Sequence, residues 1–235
     1  MVAFLGDPSA PLSLVVRFRN TVMSTLKLLG LERSVYTRIA RLALAEKNVD
    51  YTLEEIDIFI DGGPPTYYLE HHPFGRIPCL IHEDFCLYET GAITKYVDEM
   101  FSGPVLQPIE VPSRARMNQI IGVLDSYAYR PMVWDVFVQR IAIPENGGRS
   151  DEGVISAALQ GIGIVLEQLD SWLGGNEFLA GRSMSLADLH GFPMFLYFVQ
   201  APEGATMLES YPRLQRWLDR IRKRPSVEVT RSLRG

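Results

Sequence analysis

The pattern of apolar and polar positions changes near residue 102. Before that point short apolar runs alternate with stretches of helical period, and beyond it the helical period dominates. Leu26 to Leu29 form a short apolar run closed by Gly30, which predicts a strand. Across 35–47, Ile39, Ala40, Ala43 and Leu44 recur with helical spacing, and Asn48 supplies a stop signal. Residues 51–58 read as a second strand. A strand, a helix and a strand in this order favour a parallel pair joined by a crossover helix. The stretch "DGGPP" at 61–65 is a loop. "CLIH" and "FCLY" then flank Glu83 and Asp84, which predicts a hairpin. A two-residue turn there sets Cys79 opposite Tyr88 and Cys86 opposite Ile81. The two cysteines then do not oppose one another, and both read as inert strand residues. Residues 89–100 form the next helix.

The order is βαβ, a loop or short helix, then ββα, which is the thioredoxin-like arrangement. "FSGPVLQP" at 101–108 reads as a linker. Behind it come helical stripes: Met117, Ile120, Ile121 and Leu124; Ile155, Ala158, Leu159, Ile162, Leu166 and Leu169; Leu214, Trp217, Leu218 and Ile221. Such stripes are core. Ser185 and Asp188 make a helix start, with the carboxylate three residues past the serine cap. The run "LHGFPMFLYF" behind them is apolar all round and predicts a buried helix. The fold class is therefore α/β, a thioredoxin-like βαβ-ββα domain over 24–101, then a linker at 102–109 and an all-helical bundle over 110–235. Residues 1–23 read as a disordered tail, or as the product of an upstream start with Met23 the natural one.

Composition narrows the function. With 235 residues, 22% charged, the chain is an ordinary globular protein long enough for two small domains. A net charge of −5, with no basic run, gives no electrostatic reason to expect nucleic acid or an anionic membrane surface. No apolar run reaches the length of a membrane span. The two cysteines make neither a disulfide framework nor a zinc site and suit a reducing compartment, so a cytoplasmic protein is expected. The adjacent His71 and His72 make no metal site by themselves, and they read as loop residues near a pocket entrance.

The chemistry concentrates in "PFGRIPCLIHEDFCLYETGAITKYV". A proline facing a strand start, Pro78, suits a cis peptide bond. The N–H and C=O of Ile77 are then placed to pair with an extended peptide. Glu89 and Thr90 start a helix at the far end of the same edge, where free N–H groups suit a carboxylate. Glu89 supplies the negative partner for an amine. A ligand with an amine and a carboxylate at one end and a peptide backbone further along matches both, and glutathione has that layout. Ser34, after the first strand and at the N-terminus of the first helix, can donate to a thiolate. A free thiol is only a few per cent ionised at neutral pH, and one hydrogen bond to a charged group, about 1.5–3 kcal/mol, lowers its pKa by about one to two units. Ser34 is equally placed to be a plain helix cap.

These residues resemble the cytosolic glutathione S-transferase superfamily over nearly all of 24–230. The resemblance lies in "HPFGRIPCL", in Glu89-Thr90-Gly-Ala92-Ile93 with Tyr96, in "FLAGRSMSLADLHGFP", and in "YPRLQRWLDRIRKRP". It is strongest to the phi class and its fungal and bacterial relatives, with the zeta class next. The resemblance implies that Ser34 activates the thiol, with Tyr36 as the alternative hydroxyl. It implies that Ile77 pairs with the cysteinyl unit of glutathione beside Pro78, that Glu89 and Thr90 hold the γ-glutamyl end, and that Arg76 stands where a polar residue is usual. From their position, Val35, Tyr36, Tyr127, Trp134 and Phe137 are expected to line a pocket for an apolar electrophile or organic peroxide. The implied function is glutathione conjugation, with glutathione as co-substrate, no metal, and a homodimer. Two departures bear on this. The basic residues that usually hold the glycyl carboxylate are replaced by Gly63 and Pro64, unless Arg76 takes their place. The cysteine of the zeta class is missing, which weighs against a maleyl-substrate isomerase. A non-catalytic glutathione or ligand carrier on the same fold is the alternative from another class.

Overall fold

The structure is a computed structural model that describes residues 26–231, so the expected tail lies outside the described residues. It begins with the strand β1 (Leu26–Leu29), the helix α1 (Val35–Glu46) and the strand β2 (Thr52–Glu54). A short helix α2 (Thr66–Leu69) follows, then the hairpin β3 (Cys79–His82) and β4 (Phe85–Tyr88), and the helix α3 (Thr90–Met100). The four strands form one sheet in the order β2-β1-β3-β4. β1 and β2 are parallel, whereas β1–β3 and β3–β4 are antiparallel. This is the thioredoxin-like arrangement read from the sequence.

Side chains alternate across the sheet. Leu28 and Leu80 join Ile39, Ile93 and Val97 of α1 and α3 in the main core. Leu29, Ile77 and Cys79 point to the other face, where Tyr68 of α2 and Ile56 cover them. The second strand is shorter than the eight-residue run expected. Beyond Glu54 the Asp57 carboxylate accepts from the Phe59 N–H at 2.9 Å, and this local turn takes the chain off the edge of the sheet. Asn48, the expected stop, has φ of 51°, a conformation asparagine tolerates well.

The stretch between α3 and the second domain is clamped rather than loose. The buried Lys47 ammonium reaches Asp98 at 2.8 Å and the Pro104 carbonyl at 2.9 Å. Asp98 also accepts from the Leu106 N–H at 2.9 Å. Leu106 in turn accepts from the Leu186 N–H, which ties the connection to the helical domain.

The helical domain starts with α4 (Val111–Val123). Its axis continues without a break through two stretches of wider, π-type turns, Leu124–Ala128 and Arg130–Ala142, and ends in α5 (Ile143–Glu145). The bundle is completed by α6 (Glu152–Leu173), α7 (Leu186–Phe198), α8 (Pro202–Glu209), α9 (Pro212–Arg222) and α10 (Pro225–Val229). α7 is buried along nearly its whole length, as its apolar sequence predicts. It packs against α1, so the two domains share one interface. At the far end of α1 the Glu46 carboxylate takes both N–H groups of the Arg224 fork at 2.7 Å and the Ser226 hydroxyl at 2.5 Å.

Candidate active site

A cleft of about 970 Å³ opens between the two domains. One wall comes from the thioredoxin-like half. Ser34 caps α1, and its Oγ accepts from the Thr37 N–H at 3.3 Å. A hydroxyl has two lone pairs and one proton, so this cap leaves the Ser34 O–H as a donor toward the cleft. The loop that carries Ser34 is held from across the interface, because the Tyr197 hydroxyl of α7 donates to the Arg33 carbonyl at 2.6 Å.

Below Ser34 lies the entry to β3. Arg76, Ile77 and Pro78 line the cleft, and the Ile77–Pro78 peptide is cis. The fully buried Tyr68 donates its hydroxyl to the Arg76 carbonyl at 2.5 Å, which anchors this segment to α2. Glu89 closes the far end with φ of 70° and ψ of 113°, a strained conformation for a side-chain-bearing residue. It places Glu89, Thr90 and Gly91 on the cleft at the start of α3. The first N–H groups of a helix have no partner within it and carry the positive end of its dipole, so this corner favours a carboxylate. His72 is buried beside it, with its ring 4.7 Å from that of Tyr88, and burial pulls its pKa below the usual value. It is therefore a neutral wall, not a cation.

The opposite wall comes from the wide turns after α4. Asp125, Tyr129, Arg130 and Trp134 face the cleft. The Trp134 Nε1–H donates to the Tyr129 hydroxyl at 2.9 Å, and the Tyr129 ring lies 4.5 Å from that of Tyr36. Tyr36 and Asp125 both line the cleft, from opposite sides of the domain junction, and each shifts the other's titration. Burial, and then the Asp125 charge, push the Tyr36 hydroxyl far above the ordinary phenol range. Asp125 is open to the water of the cleft, yet partial desolvation of its carboxyl raises its pKa from 3.8 to about 6, against the opposing effect of Tyr36. Phe59, from the loop after β2, reaches over to Trp134 with ring centres 5.9 Å apart.

The cleft thus brings together Ser34, Tyr36, Arg76, Ile77, Pro78, Glu89, Thr90 and Trp134 of the residues expected from sequence. Three others stand elsewhere. Val35 is buried in the main core, because it occupies the inward face of α1. Tyr127 is 64% exposed and Phe137 packs on Tyr197 with ring centres 4.6 Å apart, and neither lines the cleft. The reason is the wide turn. With i→i+5 bonding, residues about four to five apart share a face, so Asp125, Tyr129 and Trp134 point inward where an ordinary helical period would bring in Tyr127 and Phe137. Sequence reasoning missed Phe59, Phe74, Asp125, Tyr129 and Arg130, whereas His72, expected near a pocket entrance, lines the cleft. A lone carboxylate within an apolar helical stretch was the one signal for Asp125. The histidine pair holds no metal cluster among the described residues. Instead, His71 stands against Cys86. The hairpin register is the one expected, and Cys79 and Cys86 do not oppose one another, but their sulfurs meet across the diagonal at 3.2 Å.

Residues 28–105 match the family model of the glutathione S-transferase N-terminal domain, and residues 127–225 match that of the C-terminal domain. The chain belongs to the glutathione S-transferase family. Among the relatives of this glutathione S-transferase is glutathione S-transferase F13 of Arabidopsis thaliana, 29% identical over 203 residues, which are 86% of this chain and 92% of that protein. The structure of glutathione transferase F7 from Populus trichocarpa superposes with a TM-score of 0.78 at 29% identity, covering 88% of this chain and 97% of that one. Glutathione S-transferase I from maize, in complex with an atrazine glutathione conjugate, superposes with a TM-score of 0.77 at 28% identity, over 88% and 96% of the two chains. These relatives are of the phi (F) class, as the sequence motifs implied. Among the described residues no helix is long and apolar enough to cross a membrane.

Proposed function

We propose that this chain is a glutathione transferase of the phi type, and that the cleft binds glutathione as its thiolate for attack on an apolar electrophile. The γ-glutamyl end lies at the start of α3, with its amine toward Glu89 and its carboxylate at the N–H groups around Thr90. The cysteinyl unit runs along the backbone of Ile77, and its sulfur comes to rest at Ser34. Arg76, with Arg130 on the opposite wall, is the cation available for the glycyl carboxylate in place of the basic residues replaced by Gly63 and Pro64. The electrophile occupies the space between Phe59, Trp134, Tyr129 and Tyr36.

In the reaction the thiol gives its proton to solvent, and the Ser34 O–H holds the resulting thiolate. The sulfur forms a bond to the electrophilic carbon, and the leaving group departs with its electron pair. The protein supplies a lowered thiol pKa and proximity, without a covalent intermediate. The observation that carries this reading is the position of Ser34, a helix cap whose hydroxyl proton remains available and which shares one cleft with Ile77, Glu89 and Thr90. Tyr36 is the weaker candidate because burial, and then the Asp125 charge, push its hydroxyl far above the ordinary phenol range. The division into residues 24–101 and 110–235, with a linker between, and assembly as a homodimer belong to the same proposal.

The test is glutathione binding followed by thiolate ultraviolet absorbance against pH, in the wild type and in Ser34→Ala. Binding with a thiol pKa lowered in the wild type and not in the variant is the expected result. Binding with no pKa shift in the wild type would leave a glutathione carrier. No binding would sink the proposal.

A further inference from the structure

The cleft uses neither of the two cysteines of the chain. Both lie on the face of the sheet turned toward α2, where Cys79 is fully buried beside Tyr68, Ile77 and Leu29. The register of β3 and β4 pairs Cys79 with Tyr88 and Ile81 with Cys86, so Cys79 and Cys86 are diagonal neighbours on one face. Diagonal neighbours in an antiparallel pair remain within side-chain reach, and here the two Sγ atoms stand 3.2 Å apart as free thiols. Their environments differ. Cys86 is exposed, and its Sγ lies 3.5 Å from the His71 carbonyl and 3.9 Å from His71 Nδ1. The Cys79 Sγ lies 3.7 Å from the same carbonyl, and burial, with Cys86 beside it, keeps its thiol protonated.

We propose that Cys79 and Cys86 are an oxidisable dithiol that a hydroperoxide closes into an intrachain disulfide across β3 and β4. The exposed Cys86 is the attacking sulfur, with His71 Nδ1 in place to take its proton. Its thiolate attacks one peroxide oxygen. The O–O bond breaks, the alcohol leaves with the proton, and Cys86 becomes a sulfenic acid. The Cys79 sulfur, already in contact, then attacks the Cys86 sulfur. The S–O bond breaks, water leaves with the Cys79 proton, and the S–S bond forms. Two thiols and one hydroperoxide yield one disulfide, one alcohol and one water, the two electrons passing from the sulfurs to the peroxide. The sulfurs must close from 3.2 Å to about 2.05 Å, a small movement for side chains on a hairpin. Cys79 follows Pro78 directly, and Cys86 precedes Glu89 by three residues, so the bridge lies behind the two segments that line the lower cleft. The proposal does not depend on what the cleft binds.

The experiment uses the reduced full chain treated with a stoichiometric amount of tert-butyl hydroperoxide. Excess oxidant is removed, the chain is unfolded in urea and blocked with N-ethylmaleimide, and intact mass and proteolytic fragments are read. The expected product has lost the mass of two hydrogens, takes up no maleimide, and yields a fragment linking Cys79 to Cys86 that a thiol reductant opens. In Cys79→Ser the same treatment should instead leave one oxygen on Cys86, captured by dimedone. The bridge should form at least several-fold faster in the folded chain than in chain unfolded in urea beforehand. Two maleimides on the treated wild type, stable oxygen on Cys86 without a bridge, a disulfide between two chains, or no advantage of the folded chain would each overturn the proposal.

Discussion

Tyr36 of α1 and Asp125 of the wide turns face one another across the cleft, and the Asp125 charge helps to push the Tyr36 hydroxyl above the ordinary phenol range. Asp125 titrates near 6 where an ordinary aspartate titrates at 3.8. A carboxyl whose folded pKa is raised binds more protons folded than unfolded between those two values, so folding loses stability as pH rises through that window. Asp125→Asn should therefore be more stable than the wild type above pH 6 and equal to it below 3.8. Because Asp125 is open to water, the gain should be less than about 1 kcal/mol. Thermal melts of both proteins across pH check the sign. A variant less stable at neutral pH would show that the interaction of the Asp125 carboxylate with Tyr36 outweighs the cost of desolvation.

The same pair separates the two hydroxyls that compete for the thiolate. Ser34→Ala should raise the pKa of bound glutathione by about one to two units and, as a lost helix cap, cost about 1 kcal/mol of stability. Tyr36→Phe should leave the thiol pKa unchanged, because Ser34 holds the thiolate, and should move the Asp125 titration upward, since the Tyr36 hydroxyl lowers that pKa. Thiolate absorbance reports the first effect and the carboxyl resonance of Asp125 the second. A thiol pKa that shifts in Tyr36→Phe and not in Ser34→Ala would exchange the two roles.

What could be read from the sequence was what local rules govern. The hairpin about Glu83 and Asp84 has the register its two-residue turn dictates, and the Ser185–Asp188 start opens a buried helix because cap and apolar run are contiguous. Ser34, Ile77, Pro78, Glu89 and Thr90 could be found for the same reason, each lying at the junction of a strand and a helix or at a strand mouth. The second wall of the cleft was not legible. Whether a helix bonds i→i+4 or i→i+5 leaves no clear periodic mark in a mixed stretch such as Leu124–Ala142, and the choice moved the inward face from Tyr127 and Phe137 to Asp125 and Tyr129. Tyr68 was missed because its one polar contact, the Arg76 carbonyl, exists only once α2 has folded over the sheet. The cysteines stand in the register read from the sequence, and their contact was missed because a sheet brings diagonal neighbours together as well as opposed ones.

Tyr68 gives a test of how the lower cleft is positioned. Its buried hydroxyl holds the Arg76 carbonyl at 2.5 Å, one residue before Ile77. Tyr68→Phe keeps the ring and removes the donor, leaving a carbonyl unpaired at a cost of about 1–2 kcal/mol. Because the hydroxyl touches no part of the proposed ligand, its loss should weaken glutathione binding several-fold through the Arg76–Pro78 segment while leaving the bound thiol pKa near its wild-type value. Calorimetric titration and thiolate absorbance separate the two effects. Unchanged affinity would mean that the segment is held without this bond.

Asp188 carries the strongest structural expectation. It is fully buried, and its two oxygens accept from the Leu179 N–H, the Trp217 Nε1–H, the Ser185 N–H and the Ser185 hydroxyl, all at 2.8 to 2.9 Å. One carboxylate thus joins the loop before α7, the cap of α7 and the indole of α9. In Asp188→Ala those donors stay buried without an acceptor, and at about 1–3 kcal/mol for each unsatisfied group the loss should exceed about 3 kcal/mol. Asp188→Asn returns two acceptor lone pairs but adds an NH₂ that faces donors, so it should recover only part of that loss. Chemical denaturation of the three proteins orders them as wild type, Asp188→Asn, Asp188→Ala. Because α7 packs on α1, and Tyr197 of α7 holds the Arg33 carbonyl beside Ser34, any of the alanine variant that still folds should also bind glutathione less well. An alanine variant with wild-type stability would mean that water enters to replace the carboxylate, and that α7 does not depend on this cap.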